Sequence, residues 1–145
     1  MATERRAEVT WNGSLMEGSG TITSTTTGAI GEQAVTWAAR STDATGGATS
    51  PEELIAAAHA ACFSMALSHA LAQAGSPPER LSVQATSTFV PGTGITQMRL
   101  DVTGRVAGLD EAAFRQAAGQ AKENCPVSKA LAGNVEISLD ARLER

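Results

Sequence analysis

The chain has 145 residues, 42% of them hydrophobic, and a formal net charge of −4. That length suffices for a single domain over 1–145 with its own core, and the apolar fraction excludes an intrinsically disordered chain. The acidic balance removes the electrostatic basis for nucleic-acid binding.

The opening residues, Met1-Ala2-Thr3-Glu4-Arg5-Arg6, lack the apolar core of a signal peptide, so a cytoplasmic location is expected. From Arg6 the chain alternates, with Ala7, Val9 and Trp11 on one face and Glu8 and Thr10 on the other. This predicts a half-buried strand, and Asn12-Gly13 is a hairpin signal. Glycines and β-branched residues over 18–31 suggest one or two further strands. The stretch 33–39 predicts another, carrying Val35 and Trp37 and delivering Arg40 at its end. A loop over 41–48 follows.

The next segment organises the chain. Ser50 is a good N-cap, Pro51 suits the first helical position, and Glu53 three residues later completes a capping box. Gly75 followed by Ser76-Pro77-Pro78 marks the other end. Between them, 54–78 contain no Asp, Glu, Lys or Arg, so the helix should be buried on every side. Its composition is alanine-rich with two histidines, unlike the leucine-rich segments that insert well, and no membrane association is expected.

Beyond Pro78 a period of two returns. Leu81, Val83, Ala85, Ser87 and Phe89 share a face, 91–94 turn the chain, and Met98, Leu100, Val102 and Val106 mark an antiparallel partner. Asp110 caps a predicted helix over 111–123 with Ala113, Phe114 and Ala117 as its stripe. Asn124-Cys125-Pro126 interrupts it, a short helix runs over 127–132, and residues 135–144 alternate as a last strand. The order is α+β with a largely antiparallel sheet.

Cys62, midway along the long helix, and Cys125 are the only cysteines. Either can be mere packing, since free cysteine is commonly buried. Cys125 with Pro126 behind it caps a helix N-terminus, where the dipole favours a thiolate; Cys62 has no such help and needs a cation brought to it. His59 and Cys62 are helix neighbours, which raises a metal reading, but zinc would exhaust every His and Cys without a recognised spacing. No metal or organic cofactor is expected. His69 reads as a hydrogen-bonded core histidine. Glu53 is used by the cap, which leaves Glu52 free for another role.

The segments Thr49-Ser50-Pro51-Glu52-Glu53-Leu54-Ile55-Ala56-Ala57-Ala58-His59-Ala60-Ala61-Cys62-Phe63-Ser64-Met65-Ala66-Leu67 and Asn124-Cys125-Pro126-Val127-Ser128-Lys129-Ala130-Leu131 resemble the OsmC branch of the OsmC/Ohr family of thiol-dependent peroxidases. The resemblance implies that Cys62 attacks hydroperoxides, organic ones and hydrogen peroxide, and that Cys125 resolves the product as a disulfide. It implies that Glu52 is an active-site acid and Arg40 an active-site arginine. It also implies an intertwined homodimer with long helices enclosed by sheets, serving oxidative or osmotic stress defence. An external dithiol, such as a lipoylated protein, would act as reductant. The competing readings are a non-catalytic binding protein of the same fold and a thiol–disulfide carrier.

Overall fold

The computed structural model describes residues 1–144, in two compact units, Met1–Leu54 and the part from Ile55 onward. In the first unit, β1 (Ala7–Asn12) pairs antiparallel with β2 (Ser19–Thr25), and β3 (Ala34–Val35) adds on the far side of β2. Asn12-Gly13 opens the connection, as its sequence suggests, but the turn is longer than two residues: Asn12 pairs with Ser19, and Gly18 N–H donates to Ser14 O at 2.8 Å. Gly18 sits so tightly in that loop that a Cβ would fall 2.3 Å from Ser14 O. β1 is not half-buried. All six of its residues are exposed, including Val9 and Trp11.

The expected strand over 33–39 is also corrected. Only Ala34 and Val35 pair as a strand, and Trp37–Ser41 form a helix, α1, with Arg40 in its last turn. Thr36 is the reason. Its backbone is extended and its hydroxyl accepts the Ala39 N–H at 3.0 Å, an N-cap that starts a helix through the strong helix former Ala38. The Val35–Trp37 alternation imitates a strand across that cap.

The long helix, α2, covers Pro51–Gln73. Ser50 Oγ accepts the Glu53 N–H at 3.2 Å, as the cap requires. Glu53 departs from a full capping box, taking its hydrogen bond from the Thr49 hydroxyl. The C-terminus is a Schellman motif: Ser76 N–H donates to Leu71 O, Gly75 N–H to Ala72 O, and Gly75 has φ +88°. By length and composition α2 could cross a membrane, with mean hydropathy 1.5. Instead one face, bearing His59, Phe63, Leu67 and Leu71, is buried, and the three apolar side chains join the core of the second unit. Each contributes about 1.5–3 kcal/mol by burial. The opposite face, with Ala58, Ala61, Met65, His69 and Ala72, is exposed in the single chain.

The second unit pairs β4 (Arg80–Val90) with β5 (Gly94–Arg105) antiparallel, Leu81 opposite Gly104 and Val83 opposite Val102. The last strand, β6 (Glu136–Leu143), lies parallel to β5, so this sheet is mixed and not simply antiparallel. A parallel neighbour needs a long crossover, supplied by α3 (Glu111–Asn124) and α4 (Pro126–Leu131). Asp110 caps α3, accepting the Ala113 N–H at 2.8 Å. The buried stripe is Phe114, Ala118 and Ala121, one position round from the predicted one, and continued at that spacing it reaches Cys125. Gly104 lets α3 approach the sheet, because a Cβ there would stand 2.6 Å from two Phe114 ring carbons.

Candidate active site

Arg40 and Glu52 meet within the first unit. Arg40 Nε lies 3.1 Å from both carboxylate oxygens of Glu52, so one N–H is shared between them. The Glu52 side chain is 8% exposed and that of Arg40 33%. Glu52 is thus the free carboxylate of the α2 first turn, while its neighbour Glu53 serves the cap. The nearly buried carboxylate fixes the orientation of the guanidinium. Beside the pair is an apolar cavity of about 200 Å³ lined by Trp11, Leu15, Val35, Trp37 and Arg40, all of the first unit.

Cys62 and Cys125 meet within the second unit. Both are free thiols, Cys62 half-buried and Cys125 fully buried. Cys125 is a hinge between two helices: its N–H donates to Ala121 O at 2.9 Å, closing α3, and its C=O accepts the Lys129 N–H at 3.0 Å, opening α4. The two thiols are close enough to act on each other, and their acidities diverge. Burial pushes the Cys62 thiol up and the bond to Cys125 pushes it further, against a weaker opposing bond from the Val127 backbone. Burial also raises Cys125, but hydrogen bonds from Cys62, from the Ser128 backbone and hydroxyl, and from the Val127 backbone outweigh it and hold Cys125 below the ordinary thiol value. In the isolated chain Cys125 is therefore the better thiolate and Cys62 the proton donor.

One turn from Cys62 on α2, His59 is fully buried, and its Nε2 lies 2.8 Å from Ser128 Oγ. Burial lowers the His59 pKa, so the ring is neutral near pH 7. His69 is not a core histidine: it stands on the exposed face of α2. Among the described residues no group of three or more His, Cys, Asp or Glu is arranged to hold a metal ion. The sequence reading missed Ser128, although its signal was present. Cys125 and Ser128 are three apart at the start of one helix, as His59 and Cys62 are three apart on another, so each pair shares a face.

Residues 44–140 match the family model described as OsmC-like protein. The chain belongs to the OsmC family. It is 37% identical to the peroxiredoxin OsmC of Escherichia coli (strain K12) over 147 aligned positions, covering 99% of each chain. It is 30% identical over 100 positions to the organic hydroperoxide resistance protein of Xanthomonas axonopodis pv. citri, covering 65% of this chain and 67% of that one. Among solved structures it is similar to the organic hydroperoxide resistance protein OhrB of Bacillus subtilis, with TM-score 0.64, 28% identity, and coverage of 94% and 97% of the two chains. A Legionella pneumophila OsmC structure matches with TM-score 0.66 and 25% identity, over 96% and 97% of the chains. OsmC-family relatives are therefore named for peroxiredoxin and hydroperoxide-resistance roles, and the α+β architecture described above is the family's.

Proposed function

We propose that this OsmC-family chain is a thiol-dependent hydroperoxide reductase in which Cys62 is oxidised and Cys125 resolves it. The observation that carries the reading is a pair of free thiols, Cys125 buried and Cys62 half-buried, close enough for each to shift the acidity of the other. Cys62 thiolate attacks the distal peroxide oxygen, the O–O bond breaks, and alcohol or water leaves as Cys62 becomes a sulfenic acid. Cys125 then displaces hydroxide from that sulfur and closes a Cys62–Cys125 disulfide, which prevents overoxidation. A dithiol, of which a lipoylated protein is one chemical class, reopens the bond by exchange.

Cys62 needs a cation, because burial and Cys125 both disfavour its thiolate. The Arg40 guanidinium, fixed by Glu52, supplies it and orients the peroxide, while the adjoining apolar cavity takes an organic tail. The protein acts as a homodimer that covers the bare face of α2, and mixing complementary variants tells whether Arg40 serves the Cys62 of its own chain or of a second copy. The compartment is the cytoplasm, where such thiols stay reduced.

The test is steady-state turnover of an alkyl hydroperoxide and of hydrogen peroxide, with dihydrolipoyl and thioredoxin donors side by side. Turnover lost in Cys62→Ser, and restored by mixing Cys62→Ser chains with Arg40→Ala chains, supports both the chemistry and the shared site. Cycling with dithiols but no peroxide consumption would make the protein a thiol–disulfide carrier.

A further inference from the structure

The mechanism above leaves one buried polar cluster unused. His59 and Ser128 are 0% and 3% exposed, their side chains are 2.8 Å apart, and His59 Nδ1 is buried without a hydrogen-bond partner. Ser128 lies three residues after Cys125, one turn into α4, and it acts on the Cys125 thiol to hold its acidity below the ordinary value. A serine hydroxyl has a single proton to give. If that proton goes to Cys125, the oxygen can only accept from His59, and His59 must carry its own proton on Nε2. Nδ1 is then the bare nitrogen, which agrees with its lack of a donor partner and with a ring kept neutral by burial. The opposite arrangement, with Ser128 donating to the ring, would take the hydroxyl proton away from the sulfur.

We propose that His59 and Ser128 are positioning residues for disulfide closure: His59 Nε2–H donates to Ser128 Oγ, which turns the Ser128 O–H onto the Cys125 sulfur and holds it as a thiolate ready to attack oxidised Cys62. The proposal rests on the assignment of Cys125 as resolving cysteine. In the step it serves, the Cys125 sulfur lone pair forms the S–S bond and the Cys62 S–O bond breaks with its pair on oxygen. The departing hydroxide takes a proton from solvent, replacing the one Cys125 gave up on ionising. The hydroperoxide is the oxidant, already consumed when Cys62 became sulfenic acid.

Two measurements test this without relying on peroxidase activity. The first titrates Cys125 by ultraviolet thiolate absorbance in Cys62→Ser, where it is the only thiol; the chain has no tyrosine to obscure the signal. Ser128→Ala should lower the thiolate fraction at fixed pH by about ten- to hundredfold, the effect of losing one hydrogen bond to a charged sulfur. His59→Ala should lower it less, and Ser128→Thr and His59→Gln, which keep a hydroxyl and an amide donor, should restore it. The second records histidine nitrogen shifts in the unmodified protein, with His69→Gln to assign them, and needs no variant of the cluster to fold. His59 should be the Nε2–H tautomer. An Nδ1–H ring, or a Cys125 titration unmoved in a folded Ser128→Ala, overturns the proposal. A third readout, the rate of disulfide closure after one equivalent of hydroperoxide, should fall with the thiolate fraction. Absence of any oxidation in the parent protein would sink the peroxidase reading instead, and leave the titration and tautomer results to stand or fall alone.

Discussion

Replacing Arg40 by alanine tests the most exposed step of the mechanism. In the folded chain Arg40 Nε is 3.1 Å from both Glu52 oxygens, and Glu52 is nearly buried. The variant therefore does two separable things. It strands a carboxylate without its cation; with the arginine one-third exposed, the stability cost is nearer the ~1 kcal/mol of a surface pair than the several of a sealed one. On the proposed mechanism it also removes the cation that stabilises the Cys62 thiolate. A unit charge about 4 Å from sulfur at an effective dielectric near 20 contributes about 4 kcal/mol. Partial solvation of the guanidinium reduces that, and loss of ~3–5 kcal/mol of transition-state stabilisation corresponds to a rate lower by about 10²–10⁴. The assay is single-turnover oxidation by an alkyl hydroperoxide across pH, with urea unfolding run in parallel to separate stability. Because burial and Cys125 both raise the Cys62 pKa, the variant's rate should climb steeply with pH where the parent's is flat. Glu52→Ala should act in the same direction more weakly, and the double variant should be no slower than Arg40→Ala alone. A parent-like rate and pH profile in Arg40→Ala would refute the reasoning.

Gly104→Ala should destabilise the protein by about 1–3 kcal/mol, since its methyl would overlap the fully buried Phe114 ring, and shortening that residue in Gly104→Ala/Phe114→Leu should recover part of the loss by urea denaturation. His59 is buried neutral with its pKa below the unfolded value, so it contributes stability that is fully present above about pH 6.5 and lost as pH falls toward and through its folded pKa. Urea midpoints between mildly acidic and neutral pH should show that slope in the parent and a shallower one in His59→Gln. Light scattering at low micromolar concentration should report a dimer, because Met65 and the alanines of its face are bare in the single chain; a stable monomer would contradict the assembly.

Much of this was legible in the residues because the signals were local. Ser50, Pro51 and Gly75 bounded α2 to within a residue or two, and the period of two over 81–90 located β4 and its inward face. The split between Glu52 and Glu53 followed from cap geometry, and the structure places Glu52 against Arg40 as that logic allowed. The errors came where a local pattern had two physical readings. Val35 and Trp37 fit a strand and equally the two sides of a Thr36 cap. An alternating 135–144 identifies a strand but not its direction, which the α3–α4 crossover decides. An uncharged α2 says that apolar surface must be covered, not by which chain; hence His69 read as core yet is exposed. Ser128 escaped because its spacing from Cys125 says only that the two share a face, whereas its pairing with His59 spans 69 positions.

The account stands on the joining of Cys62 and Cys125. Intact-protein mass after one equivalent of alkyl hydroperoxide, followed by proteolytic mapping under non-reducing conditions, measures it directly. The account predicts the loss of two hydrogens and a cross-linked Cys62–Cys125 peptide, with Cys125→Ser gaining oxygen at Cys62 and Cys62→Ser left unchanged. An unaltered parent mass, or an oxidised Cys125 in Cys62→Ser with Cys62 inert in Cys125→Ser, would contradict it.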